Sequence, residues 1–363
     1  MIGVEPPAGL LVDDPVLGRR IRGGDWADQG VATYRKIGAA LGEERWDDAT
    51  ALARYFVVEA EVCYRLYRQW LADLRVFLLD QGTAEADLAA AEDRIAGLLV
   101  LPDGSAWDPE RQWALLGEQV ERFAVAASDG SARTAGELLE TFVETWRRGH
   151  DRDVDHICGL MNEVVTQYGE AAIGPMYDHL LLPWFNARYS LFDVDKHPWA
   201  RALTLNMMVA FEAMRGHMCG PGRRGDVEFE ELPDRYVLRF DPCGSGGRSV
   251  RGEPIEGTLP RMEAPYEWPV TREPAPWNHG QPGVCVYCAH CIVLTEIMPI
   301  DAFGYPVRAV DPPRYPATAD AKCSWTMFKD PTRVPEEYYT RVGRARPDQI
   351  GSDACGGVPG REE

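Results

Sequence analysis

LARYFVVEAEVCYRLYRQWLADLRVFL, residues 52–78, decides the class of fold. Its residues Leu52, Tyr55, Phe56, Cys63, Leu66, Tyr67, Trp70, Leu74, Phe77 and Leu78 recur mostly at steps of three and four, which lines one face of a helix of about seven turns. Gly82 stands where such a helix ends. Outward from it the same period returns at about 84–99, 109–127 and 134–148, with Asp108-Pro109 supplying an N-cap and a proline in the first helical position. Two further amphipathic faces follow at 154–168 and 173–185, and Pro198 opens a helix that ends at Gly220-Pro221-Gly222. We therefore expect a helical bundle over 26–225, preceded by an irregular N-terminal arm over 1–25.

Past Gly225 the pattern changes. Val227 and Phe229 alternate with acids, Leu232-Pro233-Asp234 reads as a turn, and Tyr236, Leu238 and Phe240 alternate again, which predicts a β-hairpin. Residues 242–284 are rich in Pro and Gly, yet Trp268 and Trp277 argue for a packed loop. A helix is expected from about 288 to 298, ahead of Pro299, then strands at 307–310 and 322–328, and a flexible tail over 341–363. The fold expected is mainly α with a smaller α+β portion at 226–340: a helical bundle packed on a loop-rich, metal-holding C-terminal region.

The 363 residues hold 45% apolar and 26% charged side chains, the balance of a folded globular chain. With 38 basic and 57 acidic residues the net charge is −19, which repels nucleic acid and anionic membrane surfaces and leaves a small-molecule substrate as the expected partner. The most apolar window, 292–300, is broken by Glu296 and Pro299, and the first residues carry no basic, then apolar, leader pattern. A cytoplasmic protein with reduced thiols is expected. The sequence specifies no oligomeric state.

In that compartment the run Cys285-Val-Tyr-Cys288-Ala-His-Cys291 reads as metal ligands or reactive thiols. On a helix Cys288 and Cys291 share a face, while Cys285 sits ahead of the first turn, where backbone N–H groups favour a thiolate. A tetrahedral zinc needs a fourth ligand, and Cys243, in Asp-Pro-Cys-Gly-Ser-Gly-Gly-Arg, and Cys323, in Lys-Cys-Ser-Trp, are the remote donors. An iron–sulfur cluster is the alternative, since Cys-x2-Cys-x2-Cys opens a ferredoxin run, although Thr295 and Glu296 stand where that run would continue. If zinc keeps an open position, its bound water becomes a nucleophile, and His290, Tyr287 or Glu296 is the expected proton-transfer group.

The turn Gly244-Ser245-Gly246-Gly247-Arg248 could hold a small anion through backbone N–H groups and the arginine fork. Glu212 and His217 are five apart and splay on a helix, so His217 is expected to satisfy helix-end carbonyls. Asp151, Asp153, Asp155 and His156 are expected to cap a helix start, Cys63, Cys158 and Cys219 to pack, and Cys355 to stand apart in the tail.

The segment 317–330, Ala-Thr-Ala-Asp-Ala-Lys-Cys-Ser-Trp-Thr-Met-Phe-Lys-Asp, resembles the end of the L-2-amino-thiazoline-4-carboxylate hydrolase-like family, in which a cysteine and an aromatic-rich strand close a mostly helical domain. The resemblance covers this short segment and the general layout, and it carries over Cys323 alone. It implies hydrolysis at a carbon–sulfur or carbon–nitrogen heterocycle. The function expected is that of a zinc-dependent hydrolase or lyase acting on a small molecule. The alternatives are an iron–sulfur redox protein and a non-enzymatic binding protein with a structural zinc.

Overall fold

The structure, a computed structural model, describes residues 7–350. The chain opens with an antiparallel hairpin, β1 (Leu11–Asp14) and β2 (Arg19–Arg22), with Leu11 opposite Arg22. The irregular arm expected over 1–25 is corrected here. The Asp14 carboxylate accepts from the N–H groups of Val16 and Leu17 at 2.9 Å each and so closes the turn, a local bond that Pro and Gly counts do not reveal.

Short helices α1 (Trp26–Gly30) and α2 (Thr33–Gly42) lead into α3 (Trp46–Asp80), which contains the opening stretch. Leu52, Phe56, Cys63, Tyr67, Trp70, Leu74 and Leu78 are all buried, as the period requires. Around α3 stand α4 (Glu85–Leu98), α5 (Pro109–Ser128), α6 (Ala132–Tyr168), α7 (Ile173–Arg188) and α8 (Trp199–Gly216). The Asp108 cap holds, its carboxylate accepting from Arg111 N–H at 3.0 Å.

Helix α6 corrects a second expectation. One helix of 37 residues replaces the two predicted at 134–148 and 154–168, and Asp151, Asp153 and Asp155 sit buried in its middle rather than capping a start. Arginines from distant segments meet them, Arg223 at Asp151, Arg68 at Asp153, and Arg248 and Arg261 at Asp155, and Arg147 joins Asp151 from one turn earlier on α6 itself. Local sequence sees the acids without their partners.

The C-terminal part is built on one antiparallel sheet in the order β3 (Glu228–Glu231), β4 (Arg235–Phe240), β6 (Cys323–Phe328), β5 (Ala309–Asp311). Phe240 pairs with Cys323, which brings the two remote cysteine segments side by side. The loop between β4 and the next long helix is packed, as Trp268 predicted, and includes α9 (Gly246–Arg251). Helix α10 (Val286–Ile292) continues through a π turn (Val293–Ile297) into α11 (Met298–Phe303), ending at Gly304 with φ 82°. Pro299 does not end the run as expected, because it falls in the first turn of α11, where it has no N–H to lose. The whole run Val286–Phe303 is long and apolar enough to cross a membrane by length and composition, which the window 292–300 understated. Its residues are 67% buried inside the fold, the place of a core helix.

The main apolar core runs from Ile21 to Ile350 through bundle and sheet alike, and a smaller cluster gathers Ile292, Ile300, Phe328, Val334, Tyr339 and Val342. After α12 (Glu337–Thr340), Val342 and Ile350 are buried, and Arg344 grips Asp301 at 2.6 Å. The expected tail therefore packs over 341–350; Cys355 and the rest of 351–363 lie outside the described residues. The chain is mainly α with a smaller β part.

Candidate functional site

Where α3, α7 and α8 meet α10, β6 and the turn after β4, they line a cavity of about 80 Å³. Its walls are largely apolar, with Trp70, Trp184, Leu66, Val209 and Met214. Five cysteines line it, from four separate segments: Cys63 on α3, Cys243, Cys288 and Cys291, and Cys323. Sheet register accounts for Cys243 and Cys323, since β4 runs out at Phe240 opposite Cys323. Glycines bring the rest close. A Cβ on Gly246 would stand 2.3 Å from Cys288 Sγ, and one on Gly244 1.5 Å from His217 O, so only glycine admits these neighbours.

The thiols are not alike. Cys243 Sγ is 3.6 Å from Ser245 Oγ. The Cys219 thiol donates to it, and with the N–H groups of Gly247 and Ser245 outweighs burial, so its pKa is held down at about 6. Cys285, at the N-cap of α10, is also lowered, by the Cys288 thiol first and then by the N–H groups of Cys288 and Tyr287, but it does not line the cavity. Cys288 is raised as the donor in that contact, and burial raises Cys291 and Cys323. Among the described residues, no three His, Cys, Asp or Glu side chains are grouped so as to hold one metal ion.

The other expected site residues have diverse places. His290 lines the cavity, donates from Nδ1 to Tyr287 O at 2.5 Å and accepts from the Cys291 thiol at Nε2, 3.2 Å away; burial lowers its pKa to about 4. Tyr287 lines the cavity too, its hydroxyl in contact with Tyr67 and Ser245. Glu296 does not line it. That carboxylate is fully buried, accepting from Arg341 at 2.8 and 2.9 Å and from Val310 N–H at 2.7 Å, so it serves an ion pair that ties the chain end to the core. Arg248 is buried against Asp155 and Asp151 and has no fork free for an anion. Gly244 gives its carbonyl to Arg223, and a Cβ on Gly247 would come within 2.9 Å of Cys243 Cβ, so the turn closes on protein groups.

Two cavity arginines went unnoticed in the sequence. Arg308 is 4% exposed; it donates to Tyr189 Oη at 2.9 Å and lies over the Trp325 ring at 4.8 Å, while its Nε is buried without a partner. Arg188 lies over Trp184 at 5.3 Å. Among the described residues neither makes a salt bridge with a carboxylate. Nothing local marks them, for their lack of carboxylates is a tertiary fact.

Four histidines carry a pH consequence. Burial lowers His150, His156, His217 and His290, the second and last to about 4, so below pH 6.5 the unfolded chain takes up protons that the folded one refuses. Asp153 opposes this, being raised to about 6 by burial and so relieved on acidification. Four groups outweigh one, and the melting temperature should fall steadily between pH 6.5 and 4. A melting temperature that is flat or rising over that window, by calorimetry, would contradict the neutral buried histidines.

Compared with known proteins, the chain matches no family model, no curated protein and no solved structure. Fold and site together define a mainly helical protein with a thiol-lined cavity.

Proposed function

We propose that the protein is an enzyme that hydrolyses a small anionic molecule through covalent catalysis by Cys243. The observation that supports it is the set of donors gathered on Cys243 Sγ inside the cavity: the Cys219 thiol, Ser245 Oγ and two backbone N–H groups. A thiolate is the nucleophilic form of cysteine, and such donors favour it. Sγ bonds to an electrophilic carbon of the substrate, the carbon–nitrogen or carbon–sulfur bond breaks, and the leaving atom takes a proton from Tyr287, whose hydroxyl burial keeps protonated. Water then displaces the sulfur. Arg308 and Arg188 meet the substrate's anionic group, which agrees with the carboxylate in the family resemblance.

Alkylation tests this reading. With iodoacetamide, Cys243 should react before the other thiols, with a rate that rises through about pH 6. The reaction at that position should vanish in Cys243→Ser while the melting temperature holds. Peptide mapping that finds Cys243 no faster than Cys323 would end the proposal.

A second reading stands on a specific observation, that Cys243, Cys288, Cys291 and Cys323 open on one cavity. In it these thiols hold zinc or an iron–sulfur cluster. The described side chains are not grouped for a single ion, so we route no step through a metal. Elemental analysis and the absorption spectrum of anaerobically purified protein decide it: one bound metal centre per chain would favour this reading, and metal-free protein that alkylates at Cys243 the first. Either chemistry suits the cytoplasm, where we place the protein, with neither nucleic acid nor membrane as partner.

A further inference from the structure

The cysteine reading leaves the displacing water without a base, and a buried network outside the cysteine cluster ends at the same cavity. It joins the middle of α6, the centre of α3 and the end of α8. Asp151 accepts from His150 Nδ1–H at 3.0 Å. His150 Nε2 lies 3.1 Å from His217 Nδ1 and 3.1 Å from Tyr67 Oη, and Tyr67 Oη lies 2.7 Å from His217 Nδ1. Tyr67, His150 and Asp151 are buried, whereas His217 lines the cavity.

Proton counting fixes the tautomers. Arg223 and Arg147 hold Asp151 as a carboxylate, so His150 must carry its proton on Nδ1, and its Nε2 is bare. A bare His217 Nδ1 facing that atom at 3.1 Å would set two lone pairs against each other. His217 therefore carries its proton on Nδ1, inside the network. Its other nitrogen, Nε2, is left bare and makes no hydrogen bond among the described residues.

We propose that His217 is the general base of this cavity, with His150, Asp151 and Tyr67 as its positioning residues. The proposal rests on the cysteine reading and adds its second half. As water attacks the adduct, its oxygen bonds to carbon, the carbon–sulfur bond breaks and sulfur leaves as the thiolate, while the water proton passes to His217 Nε2. His217 becomes an imidazolium whose Nδ1 proton stays in its hydrogen bond to His150 Nε2, the ring that Asp151 orients. The Nε2 proton then passes across the cavity to the Tyr287 oxygen, which lines it too, and His217 is left with its proton on Nδ1. The cycle consumes one water and leaves the protein unchanged.

An activated ester, p-nitrophenyl acetate, separates the two halves. The wild type should release a burst of nitrophenolate equal to one acetyl group on Cys243 per chain, then turn over slowly as the acyl group is hydrolysed. His217→Asn keeps a donor where Nδ1 stood and removes Nε2. That variant should retain the burst and the melting temperature and lose deacylation about 100-fold or more. Tyr67→Phe and His150→Gln should keep the burst, slow deacylation less and alter its pH profile. Nitrogen NMR of labelled histidines should show His217 neutral at pH 7 with its proton on Nδ1 in the wild type, and a mixture of tautomers in His150→Gln. A burst followed by unchanged deacylation in His217→Asn, or a wild-type His217 with Nδ1 bare, overturns the role of His217 alone. Absence of any burst overturns the cysteine reading and this one with it.

Discussion

Replacing Asp155 by alanine should come close to unfolding the protein. The carboxylate is fully buried and accepts from Arg248 and from Arg261 Nε and a terminal nitrogen, the latter at 2.9 Å, in the middle of α6. Both guanidinium groups are themselves buried, so the substitution strands cationic groups in the core rather than removing one contact. Breaking such a pair costs about 3–5 kcal/mol, against a total stability of about 5–15 kcal/mol for an ordinary domain. Urea unfolding should register the loss, or the variant should come out of expression insoluble. By contrast Glu61→Ala, which frees the exposed Arg65 on α3, should cost less than about 1 kcal/mol. A mild Asp155→Ala, within about 1 kcal/mol of wild type, would mean that the α6 acids do not set the register between bundle and C-terminal part. The same acids predict sensitivity to strong acid. Burial works to raise Asp151 and Asp155, but their arginines hold them below the ordinary carboxylate range, so the stability they contribute is present above about pH 4 and is lost as pH falls through their folded values.

Arg308 should behave in the opposite way. Its charge is buried with a tyrosine and aromatic faces for company and with Nε unpaired, a state that costs free energy. Arg308→Met keeps much of the volume and removes the charge, so the melting temperature should stay level or rise. What it should lose is the response to anions. Benzoate and acetate, with benzamide as the neutral control, should raise the wild-type melting temperature by several degrees at saturating concentration, in the order that apolar burial favours, and should leave the variant unmoved. If Arg308→Met destabilises the protein, or responds to benzoate as the wild type does, the cavity is not an anion site and the substrate class proposed here is wrong.

These two arginine environments show where the sequence stops. The three- and four-residue period of 52–78 determined α3, and alternation around Leu232-Pro233-Asp234 determined the β3–β4 hairpin, because both depend on which face of a local element meets the core. The density of cysteine at 285–291 drew attention to α10, and the structure places Cys243 and Cys323 on the same cavity as Cys288 and Cys291. Only the tertiary structure decided what these residues do next. Asp151 and Asp155 look like helix caps until Arg223, Arg248 and Arg261 arrive from more than 60 residues away. Glu296 looks available until Arg341 closes on it, and His217 looks like a helix end until His150 and Tyr67 come within 3.1 and 2.7 Å of its Nδ1. Periodicity is a property of a few consecutive turns, whereas the state of a buried charge or an imidazole is set by groups that the chain brings together only on folding.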